Sequence, residues 1–274
     1  MRLSSRLART ILGLGLIAFL PPLQAMTLVT WNVAELFDPD PLRIEKLLDV
    51  ALSTSPDLVL LQEAGSRTYA AVKRINRSGR AYRLIHKELP GGLPSGGLVI
   101  LVKSAFRLDK AAYQDLPSEM GRGVLSVGFD WCDKSLHILN VHLESPDLLF
   151  WRSLKFRHQQ IDLINQITKQ PSDSIVAGDF NLVFERNPDQ LFPAHWQDAW
   201  IHTHPGEKGL TWDPDHNAMA YQSGGFLLPG YRLDRVLIDS DSVRAKEVKR
   251  LGMEFDPPLS DHYGLWAEFV CRQE

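Results

Sequence analysis

Short uninterrupted apolar runs alternate along the chain with segments whose apolar residues recur at three- and four-residue spacing. The runs read as strands buried on both faces, and the recurrent segments read as helices with one apolar side. Thr27–Asn32 (Thr-Leu-Val-Thr-Trp-Asn) predicts a first strand. Asp40-Pro41 then signals a helix start, with Asp as N-cap and Pro in the first helical position. Ile44, Leu47, Leu48 and Ala51 give that helix its apolar face, and Pro56 closes it. Leu58–Leu61 predicts a second buried strand, which ends in Gln62-Glu63. A helix over Tyr69–Ile75, a short strand over Tyr82–His86 and a strand over Leu98–Val102 follow. Val124–Trp131 and Leu136–Leu143 predict a hairpin turning at Cys132-Asp133-Lys134. An amphipathic helix over Leu154–Ile167 leads into the run Ile175-Val176-Ala177, which Gly178 breaks before Asp179-Phe180-Asn181. Asp179 and Asn181, at i and i+2, share one face of an extended segment. Phe184–Gly230 is irregular and rich in Pro, Gly, His and aromatics, the kind of long loop that tends to be functional. Arg232–Ile238 and Trp266–Val270 close the chain as strands. Helices and strands in alternation, with a hairpin between, indicate a layered α/β sandwich.

Composition adds limits. With 274 residues, 44% hydrophobic and 23% charged, the chain suits a globular protein with a sizeable core. The first 25 residues differ from the rest: Arg2, Arg6 and Arg9, an apolar run over Ile11–Leu20, then Pro21-Pro22-Leu23-Gln24-Ala25. This is the pattern of a secretory signal peptide over residues 1–25, cut after Ala25, and it predicts a soluble exported domain over residues 26–274, periplasmic or secreted. Losing three Arg and no acid takes the net charge from −3 to −6, which leaves no global basic footprint for nucleic acid. Cys132 and Cys271 are the only cysteines, and a lone pair so far apart in sequence is expected as free thiols rather than a bridge.

Polar residues collect where the predicted strands end: Asn32, Glu63, His142, Asp179, Asn181, Asp234, Asp261 and His262. The set is rich in oxygen, with two imidazoles and no thiolate, which suits a hard cation: Mg²⁺ first, then Mn²⁺ or Ca²⁺. Each motif alone has a plainer reading. Asp-x-Asn is ordinary turn chemistry, Glu63 can cap a turn, a strand histidine is commonly a satisfied core residue, and Asp234-Arg235 can be a structural ion pair.

Taken in order, Trp31-Asn32, Gln62-Glu63, Asn140-Val141-His142-Leu143, Gly178-Asp179-Phe180-Asn181, Arg232-Leu233-Asp234 and Ser260-Asp261-His262 resemble the endonuclease/exonuclease/phosphatase superfamily of DNase I-like proteins. Within it the chain is most similar to the 5′-tyrosyl-DNA phosphodiesterases, through His142-Leu143-Glu144-Ser145, Arg157 to Gln160, Thr211-Trp212-Asp213 and Arg232 to Arg235. Secreted sphingomyelinases are a second likeness, through Thr211 to Pro214, Asn217 and Ala220. The resemblance implies a four-layer α/β sandwich, two mixed β-sheets packed face to face between helices. It implies a Mg²⁺-dependent phosphodiesterase acting with an activated water on nucleic acid or a phospholipid headgroup, as a monomer. A non-catalytic binding module on the same fold is the alternative of a different class.

The residue roles follow from that resemblance. Glu63 would be the principal metal ligand, with Asn32 and Asp261 in support. Asp179, with Asn181, would orient or deprotonate the water. His262, with Asp234 on its other nitrogen, would stabilise the phosphoryl group, and Asp179 and His262 can exchange roles. His142 would assist the leaving oxygen as acid or hydrogen-bond donor. Trp212, Asn217 and Arg232 are candidate substrate contacts, while Trp196 and Trp200 read as loop anchors and His202-Thr203-His204 as a solvated loop. One departure stands out: where related DNA-repair enzymes carry an acid two residues after the first-strand Asn, this chain has Ala34, with Glu35 beside it.

Overall fold

The computed structural model describes residues 25–77, 82–87, 97–146, 150–169, 173–225 and 228–272. The proposed signal peptide (residues 1–24 of it) and most of the Pro90–Gly97 stretch, whose glycines read from sequence as a loop, lie outside them. Among the described residues twelve strands form two six-stranded sheets. The first sheet runs β11(Val243–Leu251), β12(Gly264–Cys271), β1(Ala25–Asn32), β2(Leu58–Ala64), β4(Gly97–Lys103), β3(Tyr82–His86). The second runs β5(Lys110–Asp115), β6(Gly123–Trp131), β7(Lys134–His142), β8(Asp173–Asp179), β10(Asp234–Asp239), β9(Gln197–Asp198).

A continuous apolar cluster lies between the sheets, from Met26, Leu28, Leu58 and Leu60 on one side to Phe129, Ile138, Ile175 and Val236 on the other. Helices α1(Pro41–Leu52) and α2(Ser66–Arg77) belong with the first sheet, and the α1 face predicted from sequence (Ile44, Leu47, Leu48, Ala51) packs on Val29, Val59 and Val99. Helix α3(Phe150–Thr168) covers the second sheet through Ile161 and Ile164. The expected four-layer sandwich is therefore the observed one. Among the described residues no helix is long and apolar enough to cross a membrane.

Three strands escape the apolar pattern. β5 is almost wholly exposed, β9 is two half-buried polar residues, and β11 alternates buried and exposed positions, so none shows a continuous apolar run. The loop containing His202 and His204 instead carries a short helix, α4(Ala199–Thr203), capped by Asp198 and followed by His204 stacked on Trp200 at 4.1 Å.

The cysteine expectation was wrong. Cys132 and Cys271 form a disulfide, with Cα atoms 5.5 Å apart. Cys132 sits in the two-residue turn of the β6–β7 hairpin, where φ is 53° at Cys132 and 59° at Asp133, the left-handed pair that matches strand twist. Cys271 ends β12 in the other sheet. Face-to-face packing of the sheets joins positions that sequence separation makes look remote.

Candidate active site

Strand register assembles the site. β7 pairs in parallel with β8 and β10 antiparallel with β8, so His142, Asp179 and Asp234 lie side by side in one row at the end of the second sheet. In the first sheet β1 and β2 are parallel and bring Asn32 opposite Gln62, with Glu63 next. Gln62 Nε2 donates across the sandwich to Asn140 Oδ1 (2.7 Å), and Asn140 Nδ2 donates to the carbonyls of Leu61 and Val99. This buried polar bridge fixes the two sheets against each other immediately beneath the site.

Local backbone geometry then aims the side chains. Strict alternation would turn Glu63 to the helical face, opposite Gln62. Instead Glu63 has φ 51°, the β2–β4 register slips between Leu61 and Ala64, and the carboxylate swings to within 3.4 Å of Asn32 Nδ2. Gly178 adopts φ 143° and passes so close to β7 that a Cβ would stand 2.0 Å from the Val141 carbonyl. Asn181, at φ 50°, donates its backbone N–H to Asp179 Oδ1 (2.9 Å) and its amide to Leu143 O and Ser145 Oγ.

Asp179 is the geometric centre. It is 1% exposed, accepts from Asn32 Nδ2 at 3.0 Å, and its Oδ2 lies 3.3 Å from His142 Nε2 and 3.8 Å from His262 Nε2. The His142 contact is close but not aligned as a hydrogen bond, and Nε2 has no protein partner. Burial pushes the Asp179 carboxyl up to about 6, with the His262 charge opposing and Asp234 reinforcing. His262 Nδ1 meets Asp234 Oδ2 at 2.7 Å. Burial works against a charged His262 ring, but Asp234, Asp179 and Asp261 outweigh it, and the ring is held well above the ordinary histidine range. His142 goes the opposite way, driven well below that range first by burial, then by Arg122 and His262.

Glu63 is raised by burial and by the charge of Asp261, with His262 opposing. A pocket whose carboxylates raise one another has excess negative charge, which a divalent cation would neutralise. Glu63, Asp261 and the Asn32 amide are oxygen donors of the kind a hard cation takes. Asp179, Asp234 and His262 form a second buried group whose ligand atoms all lie within 4.8 Å of one another and could hold a metal ion. In that group the Asp234–His262 hydrogen bond already engages two of the facing atoms.

The three candidate substrate contacts are engaged in bracing. Asn217 caps a short helix, α5(Ala218–Ala220), and donates to Ser260 O (2.9 Å), holding the segment that carries Asp261 and His262. Trp212 is buried and donates to Ser223 Oγ. Arg232 pairs with Asp198 at 2.7 Å and Asp189 at 3.0 Å, and Arg235 joins the same two acids. Trp196 and Trp200 are buried anchors.

Sequence reasoning missed several residues. Thr211 Oγ1 accepts from the backbone N–H groups of Leu233 and Asp234, both at 3.0 Å, and its carbonyl accepts from Tyr263 N, so it ties the Asp234 and His262 segments together. Glu144 accepts from Ser118, Glu119 N and Gln160, which explains why a buried acid follows His142 two residues on. Glu35 is no metal contact. It accepts from Gly65 N, Arg67 N and Thr68 and caps α2. Arg122, between two glycines in a loop without apolar pattern, donates to His142 Nδ1 at 2.8 Å and Ser145 Oγ at 2.7 Å. Proximity of Gly-Arg-Gly to a strand start was the only signal for it.

Comparison with known structures agrees with this architecture. TDP2 of D. rerio complexed with a single-strand DNA product superposes with a TM-score of 0.73 at 22% identity, over 89% of this chain and 98% of that one. C. elegans TDP2 gives 0.73 at 22%, over 91% and 76%. The human Nocturnin catalytic domain with bound sulfate gives 0.65 at 17%, over 90% and 94%. Among curated proteins no match is found. The Endonuclease/Exonuclease/phosphatase family matches residues 29–262, most of the chain and every strand-end motif described above, and the chain belongs to that family.

Proposed function

We propose that the protein hydrolyses phosphodiesters with water activated at Asp179, assisted by a divalent cation, Mg²⁺ in the first place. The observation that carries this is a buried carboxylate, Asp179, held by Asn32 and flanked by two imidazoles, His142 Nε2 at 3.3 Å and His262 Nε2 at 3.8 Å. A carboxyl near 6 is still mostly ionised at neutral pH, yet it is a stronger base than an ordinary aspartate and so better suited to take a proton from water. In this reading His262, paired with Asp234, favours the charge that develops on the phosphoryl oxygens, with Asp179 as base and His262 as its electrostatic partner. Asn32 keeps Asp179 in place through its amide. Glu63, Asp261 and Asn32 would hold the cation, whose charge would offset that of the phosphate when bound.

The D. rerio TDP2 structure with its single-strand DNA product favours nucleic acid as substrate over a phospholipid headgroup. We further propose export, directed by residues 1–25, and action as a monomer. The test is hydrolysis by the purified protein with Mg²⁺ of DNA, RNA, a tyrosyl-linked oligonucleotide and sphingomyelin. Turnover should vanish in EDTA and in Glu63→Ala. Hydrolysis that survives both would refute the metal-assisted reading. Fractionation of cells with and without residues 1–25 tests export.

A further inference from the structure

The two imidazoles facing Asp179 have opposite neighbours on their far nitrogens. His262 turns Nδ1 to Asp234 Oδ2, an atom that only accepts, so that nitrogen carries hydrogen. His142 turns Nδ1 to Arg122 Nη1 at 2.8 Å. A guanidinium has donors and no acceptor, so Nδ1 of His142 must present its lone pair. The single hydrogen of a neutral His142 ring is then on Nε2. That nitrogen is buried, has no hydrogen bond within the protein, and lies 3.3 Å from Asp179 Oδ2 and 3.9 Å from Glu63 Oε1. Its N–H is directed into the space those carboxylates border.

The guanidinium is held in this pose from several sides. Gly121 turns the chain at φ 73° immediately before it, Arg122 N donates to Ser118 Oγ, and Arg122 O accepts from Leu116 N. Ser118 is fixed in turn on Glu144. The second arm of the fork, Nη2, donates to Ser145 Oγ at 2.7 Å, and Ser145 is also bound by Asn181. A planar fork spanning His142 and Ser145 has one orientation that satisfies both, which a single rotating ammonium would not impose.

We propose that Arg122 is a positioning residue for the hydrolysis: it locks His142 in the Nε2–H tautomer, so that the ring gives a hydrogen bond to an oxygen of the scissile phosphodiester. The opposite tautomer would turn a lone pair towards Asp179 and the phosphate, both electron-rich. This rests on the phosphodiesterase reading above, but the ring state itself does not.

The test is long-range ¹H–¹⁵N correlation on histidine-labelled protein, with the His142 ring assigned by its absence in His142→Gln. The wild type should show hydrogen on Nε2 and a bare Nδ1, without any substrate. Arg122→Met should move hydrogen to Nδ1 or give a mixture, and should lower kcat about 10²-fold, the scale of one lost proton donor, with KM changed less than about threefold. Arg122→Lys, which keeps a donor but not the fork, should recover part of the Nε2–H ring population and part of kcat. A wild-type ring with hydrogen on Nδ1 would overturn the proposal. So would an unchanged ring in Arg122→Met, even with kcat reduced, since the arginine would then act by some other route. A protein that shows the Nε2–H ring but hydrolyses no phosphodiester would sink the hydrolase reading and leave the lock standing.

Discussion

The Cys132–Cys271 bridge gives the most quantitative prediction, because it sits at the end of the sandwich away from the chemistry. β7 runs from Lys134 to His142, so the bridge and the site are separated by the length of a nine-residue strand, roughly 30 Å. The two cysteines are 139 residues apart, and closing a loop of that length removes about 17 cal/mol/K from the unfolded chain, or about 5 kcal/mol at 25 °C. Measured values fall below such estimates, so the expected loss in Cys132→Ser/Cys271→Ser is about 3–5 kcal/mol, a large share of the 5–15 kcal/mol typical of a domain. For a domain of this size that lowers Tm by roughly 10 °C. Thermal and guanidinium unfolding of the double variant, and of wild type with and without reductant, read the stability. Initial rates at 25 °C read the site, and kcat/KM should stay within about twofold. A midpoint unchanged on removing the bridge would refute the claim that it holds the two sheets. A large loss of rate in a protein still folded would refute the separation of bridge and site.

Three further predictions concern the site end. Asp179→Asn keeps the shape and the acceptor for Asn181 N but not the basicity, and should lower kcat by about 10²–10⁴-fold with an unaltered fold by circular dichroism; a loss under threefold would remove Asp179 as base. Glu35 is buried, which alone would raise its pKa, but hydrogen bonds from Thr68, Arg67 and Gly65 outweigh burial and hold it below the ordinary glutamate value. A carboxyl depressed in the folded state stabilises fully above its unfolded pKa and loses that stabilisation as pH falls through the folded value. The Tm gap between wild type and Glu35→Gln should therefore be widest at neutral pH and close below about pH 4, and a gap that widens on acidification contradicts the capping role. Gly178→Ala places a Cβ 2.0 Å from the Val141 carbonyl at φ 143°, and should cost about 3 kcal/mol or more, read as a fall in Tm; an unchanged Tm would mean β7 and β8 are not so closely apposed.

What the sequence discloses and what it hides divide along physical lines. Strands buried on both faces announce themselves as apolar runs, so β1, β2, β4, β8 and β10, and with them Asn32, Gln62, Asp179 and Asp234, could be located from the pattern alone. β5 carries Lys110 to Asp115 with scarcely a buried side chain, and pairing with β6 makes it a strand, a contact that local sequence does not encode. Glu35 illustrates the same limit. Its role is fixed by the N–H groups of Gly65, Arg67 and Thr68, some thirty positions on, and only the parallel pairing of β1 with β2 makes them neighbours. Arg122 is invisible for a related reason: its meaning lies in which nitrogen of His142 it faces, a relation that needs coordinates.

Seven non-glycine residues among those described have positive φ, and three of them stand beside the site: Ala34 after β1, Glu63 within β2 and Asn181 after β8. Each such conformation costs about 1–2 kcal/mol in an L-residue, less for Asn. Glycine would remove that cost at every one of these positions, yet at Glu63 and Asn181 it would also remove the side chain that faces Asp179 or the pocket. The strain is thus the cost of aiming a carboxylate and an amide in directions that regular strands do not allow. It persists because the surroundings over-determine it: Ala34 N is held by Asn32 Oδ1, Val183 N by Asn181 O, and the Gln62–Asn140 bridge pins the strand on which Glu63 bulges. At the far end Cys132 and Asp133 adopt the same left-handed region, but there the conformation serves a tight hairpin and the disulfide that anchors it. One end of the sandwich stores strain to point side chains and the other is stapled, so substitutions that relax the first should raise stability while lowering turnover.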